Sequence, residues 1–168
     1  MRYLLFFLLL PFTGLTQTVH LHDDKIEYKG KVKVDSFNKD EIYKRAKMSL
    51  AMRVKAEDEN FITDSVEKDK LFASGVLRLE TPYSMIRKLY YTIKIDVEKE
   101  GYHYHIDSVF ITEKIRGGKT TTISSKELVK RMDISGPTSA QTEKLLNEID
   151  MDFQKLLALL KTDIRGKN

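Results

Sequence analysis

Residues 89–111 constrain the fold of this chain more than any other stretch. Apolar side chains occupy every second position from Leu89 to Val97. This alternation predicts a half-buried β-strand with one face on a core and the other in water. Residues 99–101 predict a tight turn, because Gly101 can adopt positive φ values that other residues avoid. Residues 102–111 are rich in aromatic and β-branched side chains. The stretch therefore predicts an antiparallel hairpin with one solvent-exposed face.

Two amphipathic helices are predicted, one over residues 39–54 and one from residue 138 onwards. Asn38 and Thr138 are suited to N-capping, and each is followed three residues later by Glu or Gln, as in a capping box. Apolar side chains then recur at helical spacing along one face of each helix. The residues predicted to face the core are Ile42, Ala46, Leu50 and Val54 in the first helix, and Leu145, Ile149, Phe153, Leu156, Leu157 and Leu160 in the last.

The remaining segments predict three more strands and one irregular region. Strands are expected over residues 26–34, 61–66 and 71–80. Gly30 interrupts the first of them and indicates a bulge or a close backbone approach. Residues 113–137 are expected to form a mobile excursion. Within it, Ser124 and Glu127 predict a short helix through Met132.

This order of elements predicts an α+β two-layer sandwich with the sequence β-α-β-β-β-β-α. Both helices need an apolar surface, and one face of an antiparallel sheet supplies it while the other face stays open. At 168 residues and 41% hydrophobic content, the chain suits one domain with a real core. We place that domain at residues 25–161, between a lead-in at 17–24 and a C-terminal tail at 162–168.

The first 16 residues predict a signal peptide. Arg2 provides a positive charge, residues 3–11 are apolar, and Gly14 and Thr16 are small residues before a plausible cleavage site at Gln17. The apolar run is shorter than the roughly 20 residues that a membrane span needs. We expect export to the periplasm or the extracellular space, with no transmembrane anchor after cleavage. Retention of the segment as an anchor is the alternative.

Composition excludes several classes of function. The chain has no cysteine, so it forms no disulfide, thiolate zinc site or cysteine nucleophile. The formal net charge of +4 is small and the charges are interspersed, so we expect no nucleic-acid partner. The sequence also lacks the G-x-S-x-G motif of many serine hydrolases and a complete phosphate-binding loop. We therefore predict no catalytic residues and no cofactor.

Three segments together resemble a known bacterial family. They are SFNKDEIYKRA at residues 36–46, YTI at 91–93 and KEGYHY at 99–104. With the predicted leader, they resemble the exported domain of unknown function numbered 4468, which is described as having a TATA-binding-protein-like (TBP-like) fold. The resemblance covers residues 25–110 and implies the order strand, helix, four strands, helix. It transfers no catalytic residues to this chain, because none are known for the family, and the name of the fold does not imply DNA binding.

One candidate site is a metal site on the return strand of the hairpin. His103, His105 and Asp107 alternate along the strand, so their side chains share one face, with the two imidazoles about 7 Å apart. His20 and His22 are possible further ligands, since zinc and copper sites need three or four. The alternative is a solvated strand face, with the intervening side chains at 102, 104 and 106 in the core.

The preferred hypothesis is a binding surface on the open sheet face. Tyr90, Thr92, Lys94, His103 and His105 supply aromatic and polar groups of the kind that interfaces favour. This predicts a non-enzymatic module that binds a protein or a glycan of the cell envelope.

Overall fold

In the computed structural model of the chain, the residues that can be described are 21–22, 25–54, 62–64, 69–79, 81, 85–115, 117–132 and 136–166. They contain eight strands and three helices. The strands are β1 (Leu21–His22), β2 (Lys25–Ile26), β3 (Tyr28–Lys33), β4 (Ile62–Asp64), β5 (Lys70–Leu79), β6 (Met85–Glu98), β7 (Gly101–Ile115) and β8 (Thr120–Ser124). The helices are α1 (Lys39–Arg53), α2 (Ser125–Met132) and α3 (Pro137–Arg165).

The predicted hairpin, β6 and β7, is the centre of an antiparallel sheet. The strand order is β3-β7-β6-β5-β4, and β8 also pairs with β7. One edge of β7 pairs with β6. The other edge pairs with β3 along its first half and with β8 along its second half. The two central strands, of 14 and 15 residues, are the longest in the sheet.

Alternation along β6 divides the sheet into an inner and an outer face. Leu89, Tyr91, Ile93, Ile95 and Val97 are buried, whereas the residues between them are partly or fully exposed. The apolar faces of α1 and α3 complete the core on the inner side, as predicted. Among the helices described, none is both long and apolar enough to cross a bilayer.

A β-bulge in β7 reverses the side to which its residues point. Tyr90 pairs with Phe110, but Thr92 pairs with Asp107, so two residues of β7 lie opposite Tyr91. One of them, Ser108, has a φ of 55°. Even-numbered residues before the bulge, such as Tyr102 and Ile106, are buried, and odd-numbered residues after it, such as Val109 and Ile111, are buried instead. The pattern of residues 102–111 in the sequence did not indicate this bulge.

Residues 113–137 differ from the excursion that we expected. The first of them extend β7 to Ile115, and β8 and α2 follow. Ile123 and Leu128 are buried in the core, so this part of the chain belongs to the packed domain. The short helix is where it was predicted, and the Glu127 amide donates to the Ser124 hydroxyl at 3.2 Å. Our prediction of an excursion outside the packed domain was wrong for the described residues of this region, because a threonine-rich stretch was interpreted without its pairing partner, β7.

Both predicted ends of the domain need correction. Leu21–His22 pairs with Lys25–Ile26, so the lead-in already contains a strand. Helix α3 continues to Arg165, and Ile164 is fully buried, so the C-terminal tail begins later than residue 162. Ile164 continues the helical spacing of the apolar residues in α3. Its neighbours in the sequence are polar, and for that reason this last turn was assigned to the tail.

The two predicted helix caps have different outcomes. Asn38 caps α1 as expected, and its side-chain oxygen accepts from the Glu41 amide at 2.9 Å. Thr138 does not cap α3, because that helix begins one residue earlier, at Pro137, with Gly136 as the N-cap and no side-chain bond. Proline suits the first turn of a helix, where its missing N–H has no partner to lose.

Two glycines on the inner face make room for tyrosine rings. Gly30 lies opposite Tyr104, and Gly75 lies opposite Tyr91. A Cβ at either glycine would overlap the ring of its partner. Gly30 therefore marks a close approach to a side chain, with the ladder continuing through it and no bulge there.

The helix layer contacts the sheet through an aromatic cluster around Phe153 of α3. Its ring centroid lies 5.0 Å from that of Tyr28 and 5.1 Å from that of Tyr91, the latter edge to face. The Tyr28 hydroxyl donates to Asp150 Oδ1 at 2.9 Å. The Tyr91 hydroxyl is also buried but has no hydrogen-bond partner in the described part of the chain. Burial raises the pKa of both phenols, so both stay protonated.

We expect removal of these two hydroxyls to have opposite effects on stability. Tyr28→Phe removes the hydroxyl that donates to the buried Asp150 and should lower the free energy of unfolding by about 1–3 kcal/mol. Tyr91→Phe removes a buried hydroxyl that lacks a partner and should be neutral or stabilising by up to about 1 kcal/mol. Urea denaturation of the two variants checks this. An equal loss of unfolding free energy in both variants would show that the Tyr91 hydroxyl also makes a stabilising hydrogen bond.

Candidate functional site: the open sheet face

The outer side of the main sheet carries no described helix, and we call it the open face. Most of its described side chains come from the four longest strands of the sheet, and β8 adds Thr120, Thr122 and Ser124. Those of the four longest strands are Lys29, Lys31 and Lys33 of β3; Lys70, Phe72, Ser74, Val76 and Arg78 of β5; Ile86, Lys88, Tyr90, Thr92, Lys94, Asp96 and Glu98 of β6; and His103, His105, Asp107, Phe110, Thr112 and Lys114 of β7.

The five predicted binding residues all lie on this face, but they do not form one cluster. Lys94 is directly opposite His105, and Thr92 is opposite Asp107. His103 lies further along β7, opposite Asp96. Tyr90 lies on the other side of the bulge from both histidines. The predicted set is therefore divided between two environments.

The first environment, which we call the paired half, consists of charges that neutralise one another. Glu27 accepts from Lys29 at 3.0 Å and contacts His105 Nε2 at 2.5 Å. Lys94 contacts Asp107 at 2.5 Å. In the same way Glu98 contacts Lys31 at 2.7 Å and His103 Nε2 at 2.9 Å.

These contacts shift the pKa of both glutamates. Burial alone would raise the pKa of Glu27, but the hydrogen bonds from Lys29 and His105 outweigh it, and the pKa lies below its ordinary value of 4.5. The pKa of Glu98 is also lowered, first by the hydrogen bond from Lys31 and also by His103. Both carboxylates are ionised at neutral pH.

The geometry of the paired half does not favour the predicted metal site. His103 and His105 point to different carboxylates, Glu98 and Glu27, and their ring nitrogens do not converge. Lysine ammonium groups already contact the carboxylates. No group of three His, Cys, Asp or Glu that could hold a metal occurs in the part of the chain that the structure describes. His20 and the side chain of His22 lie outside it, so a site that includes them stays a prediction.

A cleft of about 400 Å³ lies beside the bulge, lined in part by Glu27, Asp107 and Ser108. The arrangement is not that of an activated nucleophile. Ser108 donates to Asp107 Oδ1 at 3.0 Å, whereas His105 contacts Glu27. A serine nucleophile needs a base that accepts its proton, and here the histidine is bonded elsewhere.

The second environment, which we call the aromatic end, is centred on Tyr90 and Phe110. Their rings are stacked with centroids 4.8 Å apart and an angle of 4° between planes. Val76 lies opposite Tyr90 on β5, and Ser124 lies opposite Phe110 on β8. The two rings and Val76 are only partly buried, although they lie near the middle of the sheet.

Sequence reasoning found Tyr90 but missed Phe110 and Val76. In the sequence, Phe110 lies between Val109 and Ile111, and this apolar run does not show which side chain faces outwards. Only the bulge at residue 108 places Phe110 beside Tyr90. A positive-φ serine within a strand leaves no distinctive pattern in one sequence.

Comparisons with known proteins agree with this architecture. A family model described as "Domain of unknown function (DUF4468) with TBP-like fold" matches residues 28–111, half of the chain. A TBP-like protein from Parabacteroides distasonis has a similar structure, with a TM-score of 0.70 at 13% identity over 89% of this chain and 99% of that one. A DUF4468 family protein from Bacteroides ovatus has a TM-score of 0.59 at 12% identity, over 88% and 94%. No match was found among curated proteins.

The family and the fold predicted from sequence are thus confirmed. At such low identities, the two structures show the fold alone. Relative to the predicted order of strand, helix, four strands and helix, the described part of the chain has the additional strands β1, β2 and β8, together with the short helix α2 that was predicted separately.

Loss of the Glu27 carboxylate should change stability in a pH-dependent way. Because the folded pKa is lowered, the stabilisation is fully present above pH 4.5 and is lost as the pH falls through the folded pKa. Glu27→Gln should therefore destabilise the chain at pH 7 and have little effect in strong acid. Glu98→Gln should cost less, because Glu98 is more exposed and water screens its contacts. Urea denaturation from pH 3 to 7 measures both, and a pH-independent loss would exclude the charge contacts as its cause.

Proposed function

The chain belongs to the family of domains of unknown function with a TBP-like fold, and we propose that it is a non-enzymatic module that binds a polypeptide partner. The observation that carries the proposal is the partly exposed stack of Tyr90 and Phe110 on the open face. A sheet face that no described helix covers, bearing aromatic side chains at its centre, has the composition of the core of an interface.

The orientation of the rings favours a polypeptide over a glycan. With planes 4° apart, the two rings stack face to face, so each covers one face of the other. A sugar ring binds best to a free aromatic face, whereas the edges of two rings and the side chain of Val76 form a ridge suited to aliphatic and aromatic side chains. Glycan binding is therefore an alternative outcome of the test below.

We expect one partner to be captured from the open face and to depend on Tyr90. A photo-crosslinker at Ser74, which is exposed on β5, should form a recurrent adduct, and a crosslinker at Lys144 on α3 should not. The partner identified is then purified and its affinity for substituted chains is measured. Tyr90→Ala should weaken binding about thirtyfold, equivalent to about 2 kcal/mol, as for a central aromatic residue.

Two substitutions serve as matched controls. Tyr90→Phe keeps the stack and should leave the affinity within about threefold. Phe72→Ala removes an aromatic side chain of the same face outside the stack and should have a similarly small effect. Urea denaturation verifies that each variant is folded. A partner that binds Tyr90→Ala and the original chain equally well would contradict the proposal, as would an adduct from Lys144 alone or affinity for sugars but not for polypeptides.

We also propose that the module acts outside the cytoplasm, on the basis of the leader at residues 1–16. These residues lie outside the described part of the chain, and the support is the sequence pattern of a positive charge, an apolar run and small residues before Gln17. Expression of the chain with its leader in a bacterium should give an extracytoplasmic product that begins at Gln17. Mass spectrometry of the intact protein measures this, and a product that retains Arg2 would contradict cleavage.

A further inference from the structure

Among the residues that the structure describes, the outward charges of the aromatic end all have the same sign. Arg78 and Lys88 are direct neighbours across β5 and β6, in the row next to Tyr90. Lys114 follows in the next row of β7, opposite Ile86. No Asp or Glu points outwards from these rows among the residues that the structure describes. Glu113 belongs to the inner side, where it contacts Arg87 at 2.6 Å.

This arrangement contrasts with the paired half of the same face. There, each of the lysines Lys29, Lys31 and Lys94 contacts a carboxylate of the chain. At the aromatic end, Arg78 and Lys114 are exposed and make no ion pair with any described residue. Counted over its described residues, the open face is therefore neutralised internally at one end and positively charged at the other, although the net charge of the chain is small.

The positive charges lie in the rows that follow Tyr90, Phe110 and Val76 along the direction of the strands. Successive rows on one face of a strand are about 7 Å apart, so Lys88 lies one row from Tyr90 and Ile86 lies two rows away. The side chain of Ile86 is 56% exposed. A ligand that matches this surface has an apolar side chain over the rings and negative charges about 7–14 Å along its length, which is the spacing of residues i, i+2 and i+4 in an extended polypeptide.

From this match we propose that the aromatic end binds an acidic, extended polypeptide segment in which Asp or Glu residues lie two and four positions to one side of an apolar or aromatic anchor. The inference rests on the proposed function and specifies the chemistry of its partner. The anchor packs against Tyr90, Phe110 and Val76. The carboxylates lie near Arg78 and Lys114, where charge complementarity steers the encounter and fixes the direction of the segment.

A nucleic acid fits this surface less well, although it is also negatively charged. Single strands bind by stacking bases on free aromatic faces along a continuous basic groove. Here the two rings stack on each other, and the positive end has a few cations beside a half of the face where the charges are paired. Binding of an oligonucleotide is therefore a competing outcome of the experiment.

Fluorescence anisotropy with labelled probes tests the proposal on the purified chain. The first probe is a short peptide with a Leu-Phe pair at one end and Asp or Glu two and four positions along from it. The second has Asn and Gln in place of the acids, and the third is a single-stranded oligonucleotide with the same number of negative charges. The acidic peptide should bind about tenfold more tightly than the neutral one, and this difference should decrease as salt is added.

A matched pair of charge reversals separates local contacts from net charge. Arg78→Glu with Lys114→Glu should weaken binding of the acidic peptide about tenfold or more. Lys144→Glu with Lys155→Glu changes the net charge equally, but its residues lie on the exposed side of α3 and should leave the affinity within about twofold. If the first variant is not folded, Arg78→Gln with Lys114→Gln replaces it, and the expected loss is about threefold.

Each contrary result overturns the proposal in a distinct way. Equal affinity for the acidic and neutral peptides excludes charge recognition, and if both still depend on Tyr90, the proposed binding function stands. Tighter binding of the oligonucleotide at the same residues assigns the surface to nucleic acid. An equal loss in the α3 variant shows attraction by net charge alone. Absence of peptide binding, with a captured partner that still requires Tyr90, shows that the face binds a folded protein surface instead.

Discussion

The alternation of side chains along paired strands is the constraint on which the rest of this structure depends. In β6 it directs five apolar residues to the helix layer and leaves the residues between them on the open face. Residues of β7 alternate in the same way, but the extra residue of the bulge at Ser108 reverses which of them face outwards in the second half of the strand. Without that residue, either the two histidines or Phe110 would point into the core. The bulge thus lets one strand present a charged surface at one end and an aromatic surface at the other.

The helix layer is attached to the sheet by a small number of specific contacts. Phe153 lies against the rings of Tyr28 and Tyr91, and the glycine opposite Tyr91 leaves room for its ring. Helices α1 and α3 are joined through Asp163 of α3, which accepts hydrogen bonds from Ser49 at 2.8 Å and from Arg53 Nε at 2.9 Å. The arginine contact lowers the pKa of Asp163 although burial opposes it, so the carboxylate is ionised at neutral pH. These contacts lie on the inner side and leave the open face uncovered.

The open face combines surfaces that differ in their capacity for binding. Carboxylates and cations that already contact one another gain little from an external charge, because a new partner must first displace an existing one. Partly exposed aromatic rings beside exposed cations gain more, since both the apolar and the charged groups still face water. This physical difference favours Tyr90 and Phe110 over the two histidines as binding residues, although the sequence alone points to the histidines as well.

The sequence by itself determined the fold class, the central hairpin, the Asn38 cap and the inward faces of α1 and α3. These features depend on local rules, namely periodicity, capping chemistry and turn preference, which act over a few neighbouring residues. Family membership was also recognisable from short motifs. The open face was predictable because β6 alternates strictly.

Only the tertiary structure decided which residues meet on that face. The position of Phe110 depends on a bulge that pairs Tyr90 with it across two strands. The contact of His105 with Glu27 joins residues 78 positions apart in the chain. The formation of β8 depends on its pairing with the second half of β7. Register, ion pairing and ring stacking arise between distant segments, and no local pattern in one sequence encodes them. The reason is that their free energy depends on the whole packed arrangement rather than on neighbouring residues.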